Sequence, residues 1–105
     1  TGNTLRMMEN PVEAARRLGP YTVATHTKDV DACRHVAPEE WFFFSSVPVG
    51  TGLIDMPGVV RALKAAGFTG VLAVESDHHK DNQDEDRLVA QSIAYLEDLL
   101  AHLED

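Results

Sequence analysis

The sequence predicts an α/β fold with parallel strand pairing. Three observations carry that prediction. Stretches of helical and strand character alternate along the chain. The clearest strand, Val71-Leu72-Ala73-Val74, is apolar without interruption, as suits a strand covered on both faces. Each helix is followed within a few residues by a strand, the pattern left by crossover connections between parallel neighbours.

The elements follow in order. Asn10-Pro11 reads as an N-cap with proline at the first helical position, and Val12, Ala15 and Leu18 recur at helical spacing. Gly19 is placed to take the left-handed conformation past the helix end, and Pro20 forbids continuation. Tyr21-Thr22-Val23-Ala24-Thr25 is rich in β-branched and aromatic residues and reads as a strand ending at His26. A connection from roughly residue 27 to 54 then has no regular structure of its own. Connections well above about 15 residues are usually functional or disordered. Trp41-Phe42-Phe43-Phe44 lies within it, an aromatic cluster that calls for cover from water.

Asp55 is a good N-cap with Pro57 in the first turn, Val59, Val60, Leu63 and Ala66 line one helix face, and Gly67 closes it. The second strand, 71–74, ends at Glu75. A last helix runs from about Asp84 to about Leu103, with Leu88, Val89, Ile93, Leu96, Leu99, Leu100 and Leu103 as its apolar stripe. Asp84, Glu85 and Asp86 suit the positive end of its dipole.

Two strands do not make a stable open parallel sheet. A closed α/β barrel has eight, at about 250 residues. The 105 residues here have the length and grammar of the last part of one. The opening Thr1-Gly2-Asn3, without Met, fits a piece of a longer chain. Sheet edges left raw by such a piece are expected to pair with the remainder of the barrel or with another copy, giving a homo-oligomer. The competing reading is a small self-sufficient αβ domain.

Composition narrows the partners. Lys and Arg number 9 and Asp and Glu 17, for a net charge of −8. An acidic surface repels phosphate backbones and anionic membranes, so nucleic acid and membrane are excluded as general partners. Hydrophobic residues make up 44% of the chain, too many for a disordered segment. No apolar run approaches the ~20 residues of a membrane helix. Cys33 is the one cysteine, which rules out an internal disulfide and a cysteine-based zinc site and fits a reducing, cytoplasmic setting.

The chemistry is expected where the strands end. In parallel α/β folds the carboxyl ends of the strands face the active site. His26 and Glu75 close the two strands, and adjacent strands lie ~4.8 Å apart, so residues at matching ends are able to share one cation. An imidazole with carboxylates suits Mn, Zn, Co or Fe, and with more oxygen ligands Mg. The alternative is an ordinary polar rim. Lys28 is a candidate contact for an anionic or hydroxylated substrate, and Asp29 is a candidate to orient Lys28 or His26; the alternative is a solvated loop pair.

Other groups are weaker. Gly50-Thr51-Gly52 leads to a helix start whose free N–H groups suit an oxyanion, or else merely builds a turn. It lacks the third glycine and preceding strand of a dinucleotide fingerprint, so no NAD site is expected. Asp77, His78, His79, Asp81, Asp84 and Asp86 form an acid- and histidine-rich stretch in which Asp77 or His78 is nearest the strand end. An EF-hand is excluded by the glycine and glutamate positions. Cys33 and His35 do not match a nucleophile signature.

Four segments together resemble the C-terminal portion of the sugar phosphate isomerase/epimerase superfamily, the xylose isomerase-like TIM barrels. Thr1-Gly2-Asn3 resembles the end of an Asp-Thr-Gly-Asn/His segment at the sixth strand. His26-Thr27-Lys28-Asp29 resembles His-x-Lys-Asp at the seventh. Pro48 to Asp55 resembles a Gly-x-Gly-x-Ile-Asp turn. Gly67 to Glu75 resembles Gly-Tyr/Phe-x-Gly-x-x-x-x-Glu at the eighth. The resemblance implies the C-terminal part of a (β/α)8 barrel, with residues 1–105 a single partial domain from the end of the sixth strand to the last helix.

It further implies one divalent metal (Mn, Mg, Co or Zn) held by Glu, Asp, His and Glu, of which His26 and Glu75 match the last two. Glu75 is implied as a catalytic acid or base, and Asn3, Lys28 and Asp29 as substrate contacts. The implied reaction is proton transfer next to the carbonyl of a small sugar or polyol through an enediolate. Inosose dehydratases share the His-x-Lys-Asp and the long loop, which gives a lyase as the alternative. The Asp-x-His pair of apurinic endonucleases has no counterpart in Ser45-Ser46-Val47-Pro48-Val49, so DNA repair is not expected.

Overall fold

The computed structural model of the chain describes residues 1–32, 44–75 and 85–103. The elements are α1 (Gly2–Arg6), α2 (Pro11–Leu18), a 3-10 turn (Gly19–Tyr21), β1 (Ala24–Thr27), β2 (Asp29–Ala32), β3 (Phe44–Val47), α3 (Met56–Ala65), β4 (Val71–Val74) and α4 (Glu85–His102). Phe44 begins β3. Cys33, His35, Trp41, Phe42, Phe43, Asp77, His78, His79, Asp81 and Asp84 lie outside the described residues.

The helix signals operate as local chemistry requires. The Asn10 side-chain oxygen accepts from the N–H groups of Val12 (2.9 Å) and Glu13 (3.3 Å), which satisfies donors that the first turn leaves unpaired. Asp55 does the same for Gly58 at 3.0 Å. Gly67, at φ +87°, ends α3. Gly67 N–H donates to Lys64 O, and Phe68 N–H donates to Leu63 O, both at 3.0 Å, the paired bonds of a Schellman motif. Phe68 then packs on the core.

The other end of α2 differs from the expectation. Gly19 has helical φ −49° and ψ −48°, and the chain continues through the 3-10 turn. A Cβ at Gly19 would lie 2.6 Å from Ala66 Cβ, so this glycine serves close packing on α3 rather than a left-handed cap. The turn consumes Tyr21, so β1 starts at Ala24, later than the sequence pattern suggests, and His26 lies one residue inside its end.

β1 and β4 pair in parallel, Ala24 opposite Val71 through Thr27 opposite Val74. Glu75 N–H extends the ladder to Thr27 O at 3.0 Å. The stretch expected to be irregular instead contains an antiparallel pair, with Asp29 opposite Val47, Val30 opposite Ser46, Asp31 opposite Ser45 and Ala32 opposite Phe44. Val30 is fully buried there.

The core joins Val30, Val49, Ile54, Met56, Val59, Leu63 and Leu96, with Leu72, Val74 and Tyr95 packed against it. It therefore sits between the hairpin, α3 and α4. β4 was expected to be buried on both faces, yet Val71 is 69% exposed while Leu72 and Val74 are half-buried. One face lies on the core. Among the described residues only β1 is hydrogen-bonded beside β4, which leaves the other edge of β4 unpaired there, and Val71 and Ala73 on the opposite face are exposed. Ile93 and Leu100 of the expected α4 stripe are likewise exposed.

Candidate functional site

Parallel pairing brings His26 and Glu75 together, as the strand-end argument expects. His26 is on β1, and Glu75 immediately follows β4, bonded to Thr27. His26 Nδ1 donates to Glu75 Oε2 at 2.6 Å. Lys28 Nζ lies 2.9 Å from Glu75 Oε1. Each carboxylate oxygen thus has its own nitrogen partner. Lys28 follows the last residue of β1, two residues past His26, and Glu75 follows the last residue of β4, so both nitrogens reach one carboxylate at the strand ends.

The two nitrogens occupy different environments. The His26 side chain is 73% exposed, whereas that of Lys28 is only 5% exposed. Lys28 is therefore not the solvated loop cation of the alternative reading. Its ammonium is the main reason the Glu75 carboxyl is held below its ordinary range; partial burial pushes the other way, and the His26 bond adds to the lowering.

Asp29 departs from the expected contact with substrate, Lys28 or His26. It is fully buried. Its Oδ1 accepts from Val30 N–H (3.0 Å) and Ile54 N–H (3.2 Å), and its Oδ2 from Gly50 N–H (2.9 Å) and Gly52 N–H (3.0 Å). The oxyanion suited to the glycine turn is thus the chain's own. Asn3 lies exposed on α1. The start of that helix is tied to β1, with the Thr1 nitrogen donating to His26 O at 3.0 Å and Lys28 N–H donating to Thr1 Oγ1 at 2.9 Å.

Ser92 escaped the sequence reading. Fully buried on α4, it accepts from Val49 N–H at 2.9 Å and donates to Leu88 O at 2.8 Å. Its signal was a hydroxyl midway between Leu88 and Leu96 on the apolar stripe. Tyr95, three residues on, packs its ring against Gly50. The last helix is thereby fixed to the turn that Asp29 holds.

One imidazole and one carboxylate converge, a donor set that suits a borderline divalent ion. Among the described residues no group of three or more His, Cys, Asp or Glu side chains is placed to hold a metal. What the described residues offer such an ion is therefore one imidazole and one carboxylate. A cation shared by His26 and Glu75 would take the place of the proton between them.

The model of the xylose isomerase-like TIM barrel family matches residues 1–99. The chain belongs to that family. No curated protein matches the chain. Family and structure together give an α/β chain with parallel strands, from a sugar isomerase/epimerase-like TIM barrel superfamily that includes many enzymes. No helix among the described residues is long and apolar enough to cross a membrane.

Proposed function

We propose that residues 1–105 form the C-terminal part of a (β/α)8 barrel, a partial domain running from the end of the sixth strand to the last helix. In that barrel the site serves a divalent-metal-dependent isomerase or epimerase of a small sugar or polyol, working in the cytoplasm. The observation that carries the reading is the contact of His26 and Glu75 at the ends of adjacent parallel strands, with Lys28 on the second carboxylate oxygen. His26 and Glu75 would hold one Mn, Mg, Co or Zn ion with ligands from the rest of the barrel. When bound, such an ion supplies Lewis-acid polarisation of a carbonyl and its neighbouring hydroxyl.

The chain's own residues do the remainder. Glu75, held ionised at neutral pH, accepts a proton from carbon next to the carbonyl and returns it. Lys28 fixes the rotamer of that carboxylate and offsets its charge. Asn3, exposed near the end of β1, is the remaining candidate for a substrate hydroxyl.

The test is titration with Mn of the protein and of His26→Ala, followed by calorimetry, alongside native mass spectrometry. The proposal expects one ion per barrel and at least 10-fold weaker binding in the variant, within the 10–100-fold span typical of lost metal-site contacts. Equal binding by both proteins refutes it. A lyase that expels water from the same enolate is the alternative on this site, carried by His26-Thr27-Lys28-Asp29. The exposed face of β4 favours a further reading, a non-catalytic fragment that self-associates.

A further inference from the structure

We propose that Thr1 and Gly2 form a saddle for Lys28. The Thr1 hydroxyl grips the lysine backbone, the missing side chain of Gly2 leaves room for its stem, and the ammonium is thereby delivered to Glu75. Gly2 is then a positioning residue for the charged cluster, acting through Lys28. The saddle rests on contacts alone; its consequence for proton transfer rests on the isomerase reading.

A lysine carries a flexible four-carbon stem, and ordering it costs more rotamer entropy than ordering most side chains. Lys28 is nevertheless only 5% exposed, with its Nζ 2.9 Å from Glu75 Oε1. Such a course needs walls. One wall is Val30, fully buried and part of the core. Its N–H donates to Asp29 Oδ1 at 3.0 Å and its carbonyl accepts from Leu53 N–H at 2.9 Å, so it is held from both sides.

The other wall is the first turn of α1, at the buried Gly2. A Cβ there would lie 3.1 Å from Lys28 Cγ, 3.3 Å from Lys28 Cδ and 3.1 Å from Val30 Cγ1. All three are inside the ~3.5–4.0 Å of optimal carbon contact. Gly2 is helical and is not among the glycines of positive φ, so backbone freedom does not account for it. Glycine is a poor helix former, and what it supplies here is close approach.

Thr1 sets the remaining coordinate. Its Oγ1 accepts from Lys28 N–H at 2.9 Å and donates to Lys28 O, so one hydroxyl spans both backbone groups of the lysine. Thr1 O accepts in turn from Thr4 Oγ1 at 2.7 Å, which ties the grip to α1. With backbone and stem both set, the ammonium takes Oε1 of Glu75 while His26 Nδ1 takes Oε2. The carboxylate is thus oriented from α1 by way of Lys28. Val30 has no room to yield, so a side chain at Gly2 displaces the stem.

The test is hydrogen exchange of the Lys28 ammonium, followed by NMR at Nζ in the wild type, Gly2→Ala and Thr1→Val, with the exposed Lys64 as reference. The wild-type Lys28 ammonium is expected to exchange at least about tenfold more slowly than that of Lys64, the least that a net bond to a charged group carries. Both variants are expected to lose most of that margin. A wild-type Lys28 that exchanges like Lys64 overturns the proposal. So does a Gly2→Ala protein whose Lys28 exchange is unchanged, even if it melts lower, since a glycine needed only for the fold would behave that way.

If Gly2→Ala does not fold, Thr1→Val decides: faster Lys28 exchange supports the saddle, and unchanged exchange overturns it. A double-mutant cycle gives a second measure. Gly2→Ala should lower the melting temperature less in a Lys28→Ala background, where no stem is in the way, and an equal loss in both backgrounds overturns the proposal. In the whole barrel, Gly2→Ala should reduce kcat for a ketohexose by up to about 100-fold with KM little changed, the scale of a ~1 Å misplacement. An unchanged kcat overturns the catalytic consequence. Absence of turnover by the wild type, with the exchange result intact, counts against the isomerase reading alone.

Discussion

Replacing Ser92 by alanine is expected to destabilise the chain by about 1–2 kcal/mol. The hydroxyl accepts the buried N–H of Val49 and has no solvent access of its own. Its removal leaves that N–H without a partner in a site closed to water, which costs about 1–3 kcal/mol. Alanine is the better helix former, which returns about 0.5 kcal/mol or less. The lost bond to Leu88 O matters little because that carbonyl lies within the helix ladder. Urea denaturation is the assay. With a slope of about 1–3 kcal/mol/M, the midpoint should fall by roughly 0.3–2 M at unchanged slope. Gln91→Ala, on the exposed side of the same helix, is the control and should move by no more than about 0.5 kcal/mol. If Ser92→Ala matches that control, the hydroxyl does not fasten α4 to the turn.

Further predictions follow from the same geometry. Lys28→Met should lower stability at neutral pH, and the gap from wild type should close in acid. Glu75 has its folded pKa below the ordinary 4.5, so its contribution is full above that value and disappears as pH falls through the folded pKa; a gap independent of pH between about 7 and 3 refutes this. Leu96→Ala should cost about 2–5 kcal/mol by calorimetric or urea unfolding, as the buried member of the α4 stripe. Gly67→Ala and Gly52→Ala should separate two uses of glycine. Nothing lies near a Cβ at Gly67, so only its left-handed φ is strained, at about 1–2 kcal/mol; at Gly52 the clash also displaces Asp29, and unfolding measurements should show the larger loss. Asn10→Ala should cost about 1 kcal/mol, read by the same unfolding assay.

What the sequence made legible was what is decided locally. Asn10, Asp55 and Gly67 act within four residues of themselves, and each performs the role its chemistry suggests. The apolar run 71–74 needed only a neighbour to become a strand, and its parallel partner followed from the intervening helix. The hairpin was not legible. Asp29–Ala32 and Phe44–Val47 contain acids and serines that show no strong strand preference, and their order comes from pairing with each other. Gly19 misled because a glycine after a helix serves either φ freedom or close approach, and only Ala66, far along the chain, decides which. For the site, the meeting of His26 with Glu75 was foreseeable from strand ends. That Lys28 is buried and that Asp29 fills the glycine turn were not, since the donors lie 21 to 25 residues away.

The hairpin has a consequence for how such a chain tolerates change. Residues 29–32 are laced to 44–47, and the turn that follows folds back onto Asp29. Ala32 and Phe44 are therefore held opposite each other by the ladder itself. Doubling the length of a flexible closed loop costs only about 0.6 kcal/mol, so a change of chain length between these two positions should leave the spacing of His26, Lys28 and Glu75 intact. The ladder acts as a splice point: it isolates the three charged groups from the length of the sequence it encloses.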